Sequence, residues 1–204
     1  KRITKSNFGG IIKINLPKIS FDFSFKNELK TLWKLSTVDF FVIVKSWPFI
    51  CIVLVGLLIN LIGLSELGNV FGTSTLPRTW RMLEAGSTFT LAINICTFLY
   101  AGILIHRSRI ANINQLIDVS PTKNWVLFGS KFLAIFKMQI ALSSLIMITG
   151  LIFQTYKGFY DYEISLYLYE LIVLNLIYFI LWSFLAFLVQ TLISSPYVGL
   201  FVMI

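Results

Sequence analysis

Pro48 to Leu64 reads PFICIVLVGLLINLIGL, seventeen residues without a charge. With the apolar residues 40–44 ahead of it, this stretch reaches the ~20 apolar residues that cross a bilayer as a helix. Three more blocks qualify: 88–105 (TFTLAINICTFLYAGILI), 125–153 and 165–193. A fifth apolar run starts at 196 and is still apolar at Ile204. The blocks are too long and too uniformly apolar for barrel strands, which alternate and run ~10 residues. A lone apolar segment in lipid must satisfy its own backbone hydrogen bonds, so each block is expected to be a helix. The sequence therefore predicts an all-α, polytopic membrane helical bundle.

The whole chain agrees. Of 204 residues, 57% are hydrophobic, 13% are charged and 19 are Phe, and the mean hydropathy is +0.83. A soluble domain has ~25% charged residues, and one this small has too much surface to hide so many apolar groups. A soluble enzyme, a disordered tail and a disulfide scaffold are excluded. Cys51 and Cys96 lie inside apolar runs, so no disulfide or zinc framework is expected. The chain begins at Lys1 and ends in an apolar run, which leads us to expect a piece of a longer protein, truncated at its C-terminus.

The charge reports orientation. The formal net charge is +8. Nine lysines and arginines precede the first span, and the loop 106–124 adds Arg107, Arg109 and Lys123 against Asp118. The loops 65–87 and 154–164 are balanced by Glu66, Glu84, Asp161 and Glu163. Loops rich in Lys and Arg stay in the cytoplasm, so the N-terminus and loop 106–124 are expected there. Positive-inside topology accounts for the basic excess, and no nucleic acid is expected as a partner.

Residues 1–25, with Gly9-Gly10 and Pro17, read as a cytoplasmic linker, and 26–204 as the transmembrane domain. Within it, 26–46 reads as an amphipathic helix. At about 100° per residue, Phe25, Leu29, Leu32, Trp33, Phe40, Ile43 and Val44 share one face, and Lys26, Lys30, Lys34 and Lys45 the next. That pattern is an interfacial elbow helix, apolar side in the acyl boundary and lysines toward anionic headgroups. Asp39 stands at the edge of its stripe. In the second loop, Ile110, Ile113, Leu116 and Ile117 recur at helical spacing between Arg109, Asn112, Gln115 and Asp118. A short amphipathic helix of this kind fits a groove on a cytosolic partner. Ser120-Pro121 looks like the N-cap and first turn of the next helix.

The run from Tyr100 to Lys131, with Tyr-Ala-Gly, His-Arg-Ser-Arg, Gln-Leu-Ile-Asp, Ser-Pro-Thr-Lys-Asn-Trp-Val and Ser130-Lys131, resembles the type-2 ABC exporter permeases. It is most similar to the second permease half of the bacterial branch often fused to a C-terminal gluzincin aminopeptidase. It departs from that pattern at Ile103 and Ser108, where the family often has Glu. The resemblance implies a permease domain in the bacterial cytoplasmic membrane, paired with a second permease half in the same chain or a dimer. ATP would be bound and hydrolysed by a separate cytosolic nucleotide-binding ATPase. Arg107, Arg109, Ile110, Ile113, Leu116, Ile117 and Asp118 would form the coupling helix against that partner. The same two arginines equally suit topology anchoring.

This chain itself carries neither Gly-x-x-x-x-Gly-Lys-Ser/Thr nor His-Glu-x-x-His. No catalytic residue, metal site or bound cofactor is expected on it. His106, the one histidine, is expected at the membrane interface. Glu170 is the one acid inside a span, and an intramembrane carboxylate is a functional candidate by default. Asn60, Asn94, Gln139, Asn175 and Gln190 are expected to face other helices, and Lys131 and Lys137 to snorkel. Two rival functions stay open: a non-transporting membrane anchor of a fused peptidase, and an integral-membrane lipid-modifying enzyme. The sequence names no substrate.

Overall fold

The computed structural model describes residues 24–66, 69–70, 73–74, 76–110, 122–193, 195, 198–199 and 201, and the side chains of 66, 69–70, 73–74 and 108–110 are not described. The linker 1–23, most of the expected coupling helix (111–121) and most of the run from 196 lie outside these residues. Among the described residues the helical elements are, in order, α1 Phe25–Val44, α2 Trp47–Glu66, α3 Thr79–Ile110, α4 Asn124–Tyr156, α5 Ile164–Leu168, the π-helical segment Tyr169–Leu174, and α6 Asn175–Leu192. A two-residue antiparallel pair, β1 Asn69–Val70 with β2 Thr73–Ser74, sits in the connection after α2.

Among the described residues four stretches are long and apolar enough to cross a membrane: Trp47–Ser65, Thr79–Arg107, Asn124–Tyr156 and Ile164–Leu192. The chain is an integral membrane protein. Its outward faces carry what a lipid solvent tolerates. Leu54, Val55, Leu58, Ile59 and Ile62 of α2 and Leu181, Phe184 and Leu188 of α6 are all exposed. Between the helices an apolar core that includes Phe89, Ile93, Ile135 and Phe179 is packed, and polar contacts add to it, because lipid gives apolar side chains little reason to leave it.

α3 is the central helix and packs against α2, α4 and α6. Against α2, Gly56 lets the backbones close, since a Cβ there would lie 2.9 Å from both Ala92 Cβ and a Phe89 ring carbon. Asn60 Nδ2 donates to Ala85 O at 3.2 Å, and a short hydrogen bond links Ser46 to Tyr100. Against α4 and α6, Gln139 Nε2 lies 3.0 Å from Thr97 Oγ1 and 2.8 Å from Ser183 Oγ, so one fully buried amide ties three helices. At the end remote from α1, Gln154 Nε2 donates to Pro77 O at 3.0 Å, and Tyr167 Oη donates to Gln154 Oε1 at 3.2 Å. Asn60, Asn94, Gln139 and Gln190 thus do face other helices.

Two expectations are corrected. α3 starts at Thr79, not at 88, so residues 79–87 of the expected loop 65–87 belong to the helix. Arg81 and Glu84 lower the local hydropathy, yet Met82, Gly86, Phe89 and Ile93 are buried at helical spacing and hold the turns. α4 starts at Asn124 with Lys123 at its N-cap, instead of at Ser120-Pro121, which lie outside the described residues. His106, near the end of the span Thr79–Arg107, is packed against protein with 3% of its surface exposed.

Candidate functional site

Two places in the fold gather the residues that composition singles out. The first is the seat of α1. Its stripe of Glu28, Leu32, Ser36, Asp39 and Ile43 recurs at three- and four-residue spacing and is at least half-buried throughout. Lys26, Lys30, Lys34 and Lys45 lie away from that stripe and are exposed. The stripe seats mainly on the first half of α4. Phe25 stacks on Trp125, ring centroids 6.1 Å apart. Leu32 reaches 3.0 Å from the Cβ position of Gly129, where a side chain would meet it.

The charges on the stripe are answered one by one. Lys123 Nζ lies 2.7 Å from Glu28 Oε1, and Arg107 donates to Asp39 Oδ1 at 2.8 Å. Lys137 does not simply snorkel. Its ammonium donates to Ser36 Oγ and Thr37 Oγ1, each at 2.8 Å, and stands 3.8 Å from the Trp33 ring centroid. Ser36 and Thr37 can accept because both hydroxyls already donate to Trp33 O. Burial pushes the Asp39 carboxyl above its ordinary range, with Arg107 and Lys131 pulling the other way.

Arg107 and Lys123 flank the connection between α3 and α4, so the two ion pairs fasten both ends of that connection to one helix. α3 continues through Ile110, which makes Arg107, Arg109 and Ile110 an extension of the span, not the start of a separate helix. Ile113, Leu116, Ile117 and Asp118 lie outside the described residues.

The second place is a cleft of about 380 Å³ at the opposite end, between α3 and the last span. Trp80, Glu84, Ser87, Glu170, Asn175 and Phe179 line it. The π-helical segment shapes one wall. Asn175 N–H donates to Glu170 O, a bond across five residues. In an α-helix, residues five apart point about 140° away from each other; the wider π turn brings them toward one face. Glu170 and Asn175 therefore share the cleft, and Leu171 is buried beside them. Among the described residues neither Glu84 nor Glu170 forms an ion pair.

The Glu170 signal was present in the sequence as an acid within a span. Glu84 was not singled out, because it appeared to belong to a loop. The partners of the α1 stripe also escaped, since Arg107 and Asp39 stand 68 positions apart. Among the described residues no three His, Cys, Asp or Glu converge as a metal site. No protein-family model, characterised protein or solved structure matches the chain.

Proposed function

We propose that this chain is the membrane-spanning permease domain of an ABC-type exporter, driven by a separate cytosolic ATPase. On this reading the α1 end faces the cytoplasm of a bacterial cell, as its excess of Lys and Arg favours. The connection between α3 and α4 receives the ATPase, and a second permease half completes the pathway. The observation that carries the reading is the pair of ion pairs bracketing that connection, Arg107 with Asp39 and Lys123 with Glu28. A load applied between them is delivered to α1 and, through the short link Lys45-Ser46, to α2. The resemblance of residues 100–131 to the exporter permeases supports the same assignment. A pure membrane anchor has no use for a mechanical link between this connection and α1.

A photo-crosslinking residue at Ile113 in native membranes tests the partner. The expected product is a subunit carrying Gly-x-x-x-x-Gly-Lys-Ser/Thr. In vesicles holding that complex, Arg107→Glu is expected to lower transport-coupled ATP hydrolysis about tenfold, inside the usual range of coupling energies. The second change Asp39→Arg should restore it. Capture of no ATPase, or full coupling in Arg107→Glu, overturns the assignment.

A further inference from the structure

The cleft at the end remote from α1 has the dimensions and chemistry of a small-molecule site. Ligand cavities run ~300–1,000 Å³ and combine apolar walls with a few convergent polar groups. This one measures about 380 Å³ and sets the Trp80 and Phe179 rings and Ile146 against Glu84, Glu170, Asn175, Ser87 and Thr90. The balance of charge inside it is negative. Arg81, one turn from Glu84, stands over the Trp80 ring at 4.8 Å, and no ion pair joins it to either acid among the described residues. Carboxylates bordered by lipid are costly without a counter-charge. The same chain places cations against Glu28 and Asp39 elsewhere, so it has the means to neutralise an acid and here leaves two unanswered. The π-helical turn then directs Glu170 and Asn175 into the same space.

We propose that this cleft binds an organic cation, an ammonium group on an apolar body. The ammonium would lie between Glu170 and Glu84, with Asn175 and Ser87 as further acceptors. The body would rest on the aromatic walls, where a cation also gains from the ring faces. An anion meets the wrong charge. An uncharged apolar molecule leaves both carboxylates without a partner. Calcium takes six to eight oxygen ligands, and seven of the twelve residues that line the cleft carry no side-chain oxygen.

Binding of dansylcadaverine, a fluorescent primary amine, to the purified full chain in detergent tests the proposal. Its N-acetylated derivative keeps the body and loses the charge. The amine should bind at least about tenfold more tightly than the derivative, as a close charge pair demands. Glu170→Gln, which keeps the shape, should bring the amine down to the derivative's level. Glu84→Gln gives a second reading at an exposed position, with a smaller loss in the same direction. Ser87→Trp fills the cleft and should weaken both probes. Equal binding of amine and derivative, or unchanged binding in Glu170→Gln and Glu84→Gln, overturns the proposal. So does saturable calcium binding at Glu170 with which the amine does not compete. The titration uses neither ATPase nor nucleotide, so its failure removes the cleft assignment alone, and capture of no ATPase or full coupling in Arg107→Glu removes the exporter reading alone.

Discussion

Glu28 and Asp39 on α1 can be set beside Glu84 and Glu170 at the other end of the bundle. Each of the first two meets a cation from another helix, at 2.7 Å and 2.8 Å. The second two share a cleft of about 380 Å³ and meet none among the described residues. At the α1 end Lys137 is also held by two hydroxyls and a ring. One end is a joint in which the protein answers its own charges. The other is a surface whose chemistry is completed from outside. Apolar packing cannot make that distinction in a membrane, where lipid and protein interior solvate apolar groups alike.

The strongest way to break the comparison is to overpack each end in turn. A Cβ at Gly102 would lie 2.7 Å from Gln190 Nε2, near the α1 end, and one at Gly150 would lie 2.7 Å from Tyr167 Oη, near the cleft. Gly102→Val and Gly150→Val should each cost about 1–3 kcal/mol of stability, read as thermal unfolding in detergent. Leu166, next to Tyr167, lines the cleft. Gly150→Val should therefore also weaken dansylcadaverine binding, and Gly102→Val should leave it unchanged. If both weaken it equally, the two ends are not separable.

The helices themselves were legible, because hydropathy reports which solvent a segment meets. What hydropathy does not report is a partner. Thr79–Ser87 looked like loop since Arg81 and Glu84 interrupt it, although the burial of Met82, Gly86 and Phe89 follows helical spacing. The π-helical turn has no local marker: Glu170 and Asn175 are unremarkable until one hydrogen bond skips a residue. The amphipathic reading of 26–46 found the exposed lysines but oriented the apolar face by composition. Phe25, Leu29 and Trp33 are largely exposed, and the stripe toward α4 includes Glu28, Ser36 and Asp39. Those polar residues look unsuitable for burial until the cations of α3 and α4 arrive from far along the chain.

A milder change sharpens the comparison at the joint. Lys123→Glu would face Glu28 with a like charge. Lys123 is 56% exposed, so the pair is worth about 0.2–1 kcal/mol. The expected result is a loss of that order in unfolding free energy, recovered in the double variant Lys123→Glu with Glu28→Lys. A double variant as unstable as the single one would show that the pair contributes nothing to the seat of α1.

The smallest effect concerns the sign of Asp39. Burial raises its carboxyl above the ordinary range, and the opposing pull of Arg107 and Lys131 does not cancel that rise. The folded protein therefore holds this proton to higher pH than the unfolded chain does. The stability this group contributes is complete below the ordinary carboxylate range and is lost as pH rises through its folded value. The ion pair with Arg107 then positions α1 at a small net cost near neutrality. Relative to Asp39→Asn, which cannot titrate, the native chain should lose stability between about pH 4 and neutrality, by less than about 1 kcal/mol. Thermal midpoints measured for both across that range check it. A native chain that gains on Asp39→Asn as pH rises would mean that the Arg107 pair outweighs burial, making the joint a source of stability as well as of position.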